Sequence, residues 1–327
     1  MISAAAAPRP LRPPVTAFGS SMALAGLGLA WRVAAPQFGA PPVIGAAIIA
    51  LAGALFALLC LLYTFKAIRN WSSVTAEFTD AASAPYFGTI VISLSLLAYG
   101  AIPYSTPLAT VLWSVATAAG LSLLLTLLRL WILRDYKLTS ISTAWLVPVI
   151  GNATTVFAGW QLGYHQLAIV NFAIAVVYYF TFLPLIFHRL VFEEKTPARS
   201  APSVAVLISS PAVLAIAIFQ IAGHGNMLFD ILVTTALFNT VLVASLWKMT
   251  AGMPIGAGLW AYAFSADELA GAVVRYHAST PGVVTAVLAA LVLALATIVT
   301  VTVATLTIGI IPRAPIAIAP SLATKSS

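Results

Sequence analysis

Apolar residues run along this chain in about ten long stretches, and polar residues gather between the stretches rather than inside them. About 20 consecutive apolar residues cross the hydrocarbon core of a bilayer as a helix. The pattern predicts spans at 15–34, 43–65, 85–103, 106–128, 143–160, 164–187, 203–223, 227–250, 255–277 and 282–309. The breaks are proline, glycine and charge clusters such as Ala40-Pro41-Pro42, the stretch 70–80, and Glu193-Glu194-Lys195-Thr196-Pro197. Connections at 102–107 and 161–165 are short enough that they can only join antiparallel neighbours. The chain therefore reads as an all-α integral membrane protein built from packed hairpins. A tail at 1–14 precedes one transmembrane domain at 15–309, and a second tail follows at 310–327.

The spans alternate in character. Odd-numbered spans carry Gly, Ser, Thr, Asn and Pro: Phe18-Gly19-Ser20-Ser21, Phe87-Gly88-Thr89 with Ser93, Pro148 and Gly151-Asn152 with Thr155, Ser209-Ser210-Pro211, and Pro254 with Gly256 and Gly258. Even-numbered spans are bulkier, as in 51–63, 121–130 and 173–187. Small residues let helix backbones approach, and hydroxyls and amides need partners out of water. Intramembrane proline frees carbonyls that only protein or water can satisfy. Odd spans are expected inside and even spans outside, facing lipid or another subunit. Small residues also mark tight packing in any bundle, so the pattern alone leaves open whether the interior holds an aqueous path. The fourth span fits least well, because 116–120 is also rich in small residues.

Composition sharpens the class. Hydrophobic residues make up 61% of the 327 residues and charged residues 7%, and the mean hydropathy is +1.05. A soluble domain of this length could not hide that much apolar surface. With the N-terminus inside, 13 of the 15 Lys and Arg residues fall on the inner side and only Arg32 and Arg275 on the outer side. That bias predicts an even number of spans in the cell's inner membrane, with both termini cytoplasmic. The net charge of +7 reads as loop charge beside anionic lipid, not as a nucleic-acid surface. The first apolar run is too long for a signal-peptide core, and Cys60, the lone cysteine, reads as a buried thiol.

Candidate chemistry is sparse. The polar groups of the odd spans are mostly neutral: Ser20, Ser21, Thr89, Ser93, Asn152, Thr155 and Ser209. With Phe18, Phe87, Pro211 and Tyr262 on the same spans, they are the candidates for lining a path. Neutral donors bind anions weakly, which lets them leave as well as enter. Asp267 and Glu268 in the ninth span, and Asp230 near the start of the eighth, are the acidic exceptions, and an ionisable group inside a span is a functional candidate by default. Asp267 and Glu268 share a helical face with Phe264 and could take up a proton, pair with Arg275, or sit at the subunit interface or near the outer headgroups. His165, His188, His224 and His277 fall at span ends and form no metal-ligand set. No phosphate loop, paired-carboxylate motif or Ser–His–Asp arrangement is visible, so no enzyme chemistry, cofactor or metal is expected.

Several stretches carry a family resemblance. Phe18-Gly19 with 24–31, Pro148-Val149-Ile150-Gly151-Asn152, Tyr164-His165 with Pro184, Pro211-Ala212, and above all Gly258-Leu259-Trp260-Ala261-Tyr262-Ala263-Phe264 resemble the tellurite-resistance/dicarboxylate transporter family. That family includes a bacterial tellurite-resistance membrane protein, a fungal malate transporter and the plant slow anion channels. The resemblance implies ten helices as five hairpins around a quasi-five-fold central pore, in each protomer of a homotrimer. It implies passage of small inorganic or carboxylate anions, with Phe264 as the plug that closes the pore. Two departures stand out. Asp267 and Glu268 follow the plug where the family commonly has small residues, so they either turn away from the path or couple anion movement to a proton. The tails are also too short for kinase regulation of the plant kind.

Overall fold

Out of water a backbone must satisfy its own N–H and C=O groups, so each long apolar run has little choice but to form a helix. The computed structural model describes residues 13–198, 200–250 and 255–310. Its helices are α1 (Gly19–Phe38), α2 (Val43–Arg69), α3 (Trp71–Thr79), α4 (Gly88–Ala101), α5 (Thr106–Leu133), α6 (Val147–Gln161), α7 (His165–Phe192), α8 (Val206–Ala222), α9 (Met227–Ser245), α10 (Trp247–Thr250), α11 (Trp260–Ser279) and α12 (Val283–Ile310). The described residues contain no strand. Seven segments are long and apolar enough to cross a membrane. The helices α1, α6 and α11 are not among them. Serines and glycines dilute the first, Asn152 and two threonines the second, and Asp267, Glu268 and Arg275 the third.

The turns follow from local chemistry. Gly39 and Gly223 close α1 and α8 in the left-handed conformation, at φ 64° and 76°, where a side chain would be strained. Ser105 and Asn226 cap α5 and α9 with side-chain oxygens. The stretch 70–80, expected only as a break, folds into α3, and the side chain of Asn70 caps it by accepting from the Ser73 N–H. Helices α2, α5 and α7 run past the expected spans by one turn or more. The last turns of α2 and α7 carry Lys66, Arg69 and Arg189, cations that suit a helix C-terminus. The expected eighth span, 227–250, breaks at Leu246 into α9 and α10, and α11 begins only after a 3₁₀ turn at Ala257–Leu259. Pro254 and most of both expected tails lie outside the described residues.

Burial alternates along the chain. In α6, 13 of 15 residues are buried, against 5 of 27 in α2. The same contrast separates α1, α4, α8 and α11 from α5, α7, α9 and α12. The inner helices pack in a closed order: α1 on α4, α4 on α6, α6 on α8, α8 on α11, and α11 back on α1. Each inner helix is followed by an outer one folded against it, giving the pairs α1–α2, α4–α5, α6–α7, α8–α9 and α11–α12. The small residues that make the fourth span a poor fit, Ala116, Thr117 and Gly120, form the buried face of α5. A Cβ on Gly120 would meet Val91 at 3.0 Å and Asn152 Oδ1 at 3.1 Å. Small residues there mark an outer helix pressed onto the ring.

One polar cluster ties the chain ahead of α1 to α2 and α3. Lys66 Nζ donates to Glu77 Oε1 at 2.6 Å and to the Pro13 carbonyl at 3.1 Å. Glu77 Oε2 also accepts from the Tyr63 hydroxyl at 2.8 Å and the Val15 N–H at 3.3 Å. Glu77→Ala would leave Lys66 buried without its counter-charge. The expected loss is about 1–3 kcal/mol, the value of a charged hydrogen-bonded partner, because Glu77 is not fully buried. A thermal melt in detergent should show a lower midpoint for Glu77→Ala and a smaller drop for Glu77→Gln, which keeps acceptors for Tyr63 and Val15.

Candidate functional site

On α11, residues 264, 268, 271 and 275 recur at the spacing that puts them on one face. This stripe, Phe264, Glu268, Gly271 and Arg275, points into the ring and touches two small cavities there. The first is lined by Gly19 and Met22 of α1, Thr89 and Ile92 of α4, Val147 and Ile150 of α6, Val206 of α8, and Trp260, Ala261 and Phe264 of α11. The second is lined by Gly26, Leu29 and Ala30 of α1, Tyr99 of α4, Phe157 of α6, Ile216 of α8, and Asp267, Glu268, Gly271 and Arg275 of α11. In every inner helix the residues at the first cavity lie N-terminal to those at the second. The five therefore run parallel around a shared axis, with the two cavities in series along it.

Phe264 separates the cavities. It is 2% exposed, it lines the first, and its Cδ2 lies 3.8 Å from where a Cβ on Gly26, in the second, would sit. The cavity volumes are about 20 and 10 Å³. A single water needs about 10–15 Å³ on this measure, so neither space holds a hydrated ion. Gly26 keeps room for the aromatic ring and the carboxylate beyond it, because an alanine Cβ there would lie 3.1 Å from Glu268 Oε1.

The electrostatics differ at the two ends. Each inner helix opens with a 3₁₀ turn beside the first cavity: Val15–Phe18, Ala84–Phe87, Thr143–Leu146, Ala201–Ala205 and Ala257–Leu259. Among the described residues no N-cap side chain bonds these turns, and at the first of them Glu77 accepts from the Val15 N–H. Five helix N-termini thus turn their positive dipole ends toward one mouth, which favours negative charge there. Beyond Phe264 the charges are explicit. Asp267, fully buried, accepts from Thr300 Oγ1 of α12 at 3.0 and 3.1 Å through its two oxygens, which draws it toward the outer helix. Glu268 is 3% exposed, and among the described residues its oxygens accept no hydrogen bond. Arg275 Nη1 donates to the Gly271 carbonyl at 2.9 Å, and its guanidinium lies over the Phe219 ring at 6.0 Å. Arg275 forms no ion pair with either carboxylate among the described residues. Both acids are buried inside the protein.

The other candidates from the sequence scatter. Only Thr89 joins Phe264 at a cavity, with its hydroxyl donating to the Tyr86 carbonyl at 2.6 Å. Phe18 turns to Phe56 and Tyr63 of α2, and Phe87 to Tyr63 and Phe78. Ser21 and Ser93 share a 2.9 Å hydrogen bond joining α1 to α4. Ser20, Thr155 and Ser209 bond carbonyls of their own turns. Asn152 donates to the Pro148 carbonyl at 2.9 Å and reaches Gly120 of α5. Pro211 is buried within α8. Tyr262 faces a groove that it shares with Thr240 of α9 and Val292 and Val299 of α12. Hydroxyls in helices satisfy themselves on their own backbone, so polarity marks the inner helices but not the faces that meet the axis. Residue lists built on polarity miss Trp260, Ile92, Ile150 and Val206. The helical repeat run backward from Phe264 would have found Trp260; the others carry no local signal.

Comparison with known proteins places this arrangement. Residues 13–308 match the family model SLAC1, described as voltage-dependent anion channel. The S-type anion channel SLAH2 of Arabidopsis thaliana is 24% identical over 293 residues, covering 86% of this chain and 56% of that protein. The tellurite resistance protein TehA homolog of Haemophilus influenzae is 24% identical over 275 residues, covering 82% of this chain and 83% of that protein. The guard cell S-type anion channel SLAC1 of Arabidopsis thaliana is 22% identical over 292 residues, covering 85% of this chain and 52% of that protein. The chain thus spans about half the length of these plant relatives and most of the bacterial one. The family match runs from ahead of α1 to near the end of α12, and this multi-pass membrane protein belongs to the SLAC1 family of anion channels and transporters.

Proposed function

We propose that this protein is a gated anion channel or facilitator in which small anions move along the axis of the five inner helices and Phe264 closes the way. The observation that carries this reading is the pair of cavities in series, each walled by all five inner helices, with one buried aromatic ring between them. An apolar ring in a narrow neck keeps water out, and an anion cannot shed its hydration shell there without a large cost. Five convergent helix N-termini raise anion concentration at one mouth and disfavour cations. The weakly polar lining holds no anion tightly, which suits conduction.

The rest of the assignment follows from the same reading. Ten membrane crossings, arranged as five hairpins around a quasi-five-fold pore, make the tails at 1–14 and 310–327 cytoplasmic in the inner membrane. The first cavity is then the cytoplasmic side of the plug. The apolar faces of the outer helices meet lipid and, in a homotrimer, neighbouring protomers. Permeant species are small inorganic or carboxylate anions. Purified protein in a planar bilayer under a salt gradient tests the proposal: the Phe264→Ala current should reverse near the anion equilibrium potential. A folded Phe264→Ala protein without current refutes it.

The buried acids beyond the plug favour a second reading, a proton-coupled transporter of dicarboxylates or oxyanions of the tellurite type that uses Asp267 or Glu268. Uptake would then depend on a pH gradient and disappear in Asp267→Asn or Glu268→Gln.

A further inference from the structure

The two neighbouring acids occupy different environments. Asp267 is drawn off the axis by its bonds to Thr300. Glu268 shares the axial stripe of α11 with Phe264, one helical turn away, and its Oε1 lies against Gly26 of the neighbouring α1. Arg275 lies seven residues further along the same stripe, about 10.5 Å at the helical rise, and lines the same small cavity. An anion passing Phe264 must enter this space, which a carboxylate already fills. We propose that Glu268 is a second barrier in series with Phe264: as a carboxylate it stands in for the permeant anion and neutralises Arg275, and on protonation it yields the space. This rests on the channel reading and extends it.

The groups facing Glu268 are few. Its own helix presents Asp267 and Arg275, and α4 presents the Tyr99 hydroxyl, which accepts from Gln220 of α8. The other inner helices offer only glycine and apolar side chains here: Gly26 and Leu29 of α1, Phe157 of α6 and Ile216 of α8. Asp267 is the other carboxylate at this cavity, and both its oxygens accept from Thr300. In the charged state a like charge stands in the anion's way, an arrangement that costs several kcal/mol. In the neutral state Arg275 is left as the counter-charge that draws the anion through.

Chloride currents of Phe264→Ala, Phe264→Ala/Glu268→Gln and Phe264→Ala/Asp267→Asn, measured in planar bilayers from pH 8 to pH 5, test this. The Phe264→Ala current should rise at least about tenfold toward pH 5. The Glu268→Gln double variant should carry the acid-level current at every pH, and the Asp267→Asn double variant should keep the rise. Glu268→Ala in place of Gln should act in the same direction, guarding against a misfolded amide variant. Equal pH profiles in Phe264→Ala and its Glu268 variants would overturn the inference while leaving the channel intact. A Glu268 variant that loses the Phe264→Ala current would also overturn it. No current in any folded variant would bring down the channel reading and this inference together.

Discussion

Phe264→Ala is expected to raise anion conductance by about a hundredfold over the wild-type protein. The ring is buried between two spaces that together hold about two waters. With alanine in its place, the first and second cavities merge into one continuous opening through five helices. Water can then hydrate an anion throughout its passage. Effective desolvation of an ion in a protein costs several kcal/mol, and each 1.36 kcal/mol is tenfold in rate, which sets the expected scale. Single-channel recording at acid pH, where the proposed barrier at Glu268 is weakest, gives the cleanest reading. Size should grade the effect: Phe264→Leu opens less than alanine, and Phe264→Trp stays shut. Because water fills the vacated space, the melting temperature should fall less than for a large-to-small change in a dry core. Equal conductance in wild type, Leu and Ala would show that the ring does not close the path.

What the sequence revealed, and what it withheld, follows one physical rule. The long apolar helices and the contrast between buried and exposed ones were legible, because bilayer thickness dictates run length and close packing selects small residues. The bulky stretch 51–63 falls on a largely exposed helix, and Gly151-Asn152 on a buried one. Helix faces were less legible. Ser20, Thr155 and Ser209 look like pore polarity, yet each spends its hydroxyl on its own turn. Phe18 looks axial by its position and instead anchors α1 to α2. The axis is lined largely by apolar side chains that composition does not distinguish from the core. Asp267 and Glu268 were singled out together, but which one turns away depends on Thr300, 33 residues on, and no local pattern announces that partner.

Gly45→Ala should cost the protein more stability than any other single-methyl addition to α2. A Cβ on Gly45 would lie 2.7 Å from the Gly28 carbonyl oxygen and 2.8 Å from the Arg32 nitrogen, both backbone atoms of α1. The contact is reciprocal, since a Cβ on Gly28 would lie 2.9 Å from the Ile49 nitrogen and 3.0 Å from the Gly45 oxygen. Two backbones touching this closely cannot relieve the clash by a rotamer change, so the helices must part. Overpacking costs about 1–3 kcal/mol where side chains can adjust, and more where they cannot. Gly53→Ala in the same helix is the matched control, because its Cβ would meet only Leu97 Cδ2, at an ordinary 3.7 Å. That change should be neutral or stabilise by up to about 1 kcal/mol, the helix-propensity gain over glycine. Thermal melts in one detergent should place Gly45→Ala well below wild type and Gly53→Ala level with it or above. The opposite order would mean that α1 and α2 are not held at backbone contact. Since α1 walls both cavities, parting this hairpin also loosens the seat of Phe264, so any Gly45→Ala protein that survives should leak anions where the wild type stays closed.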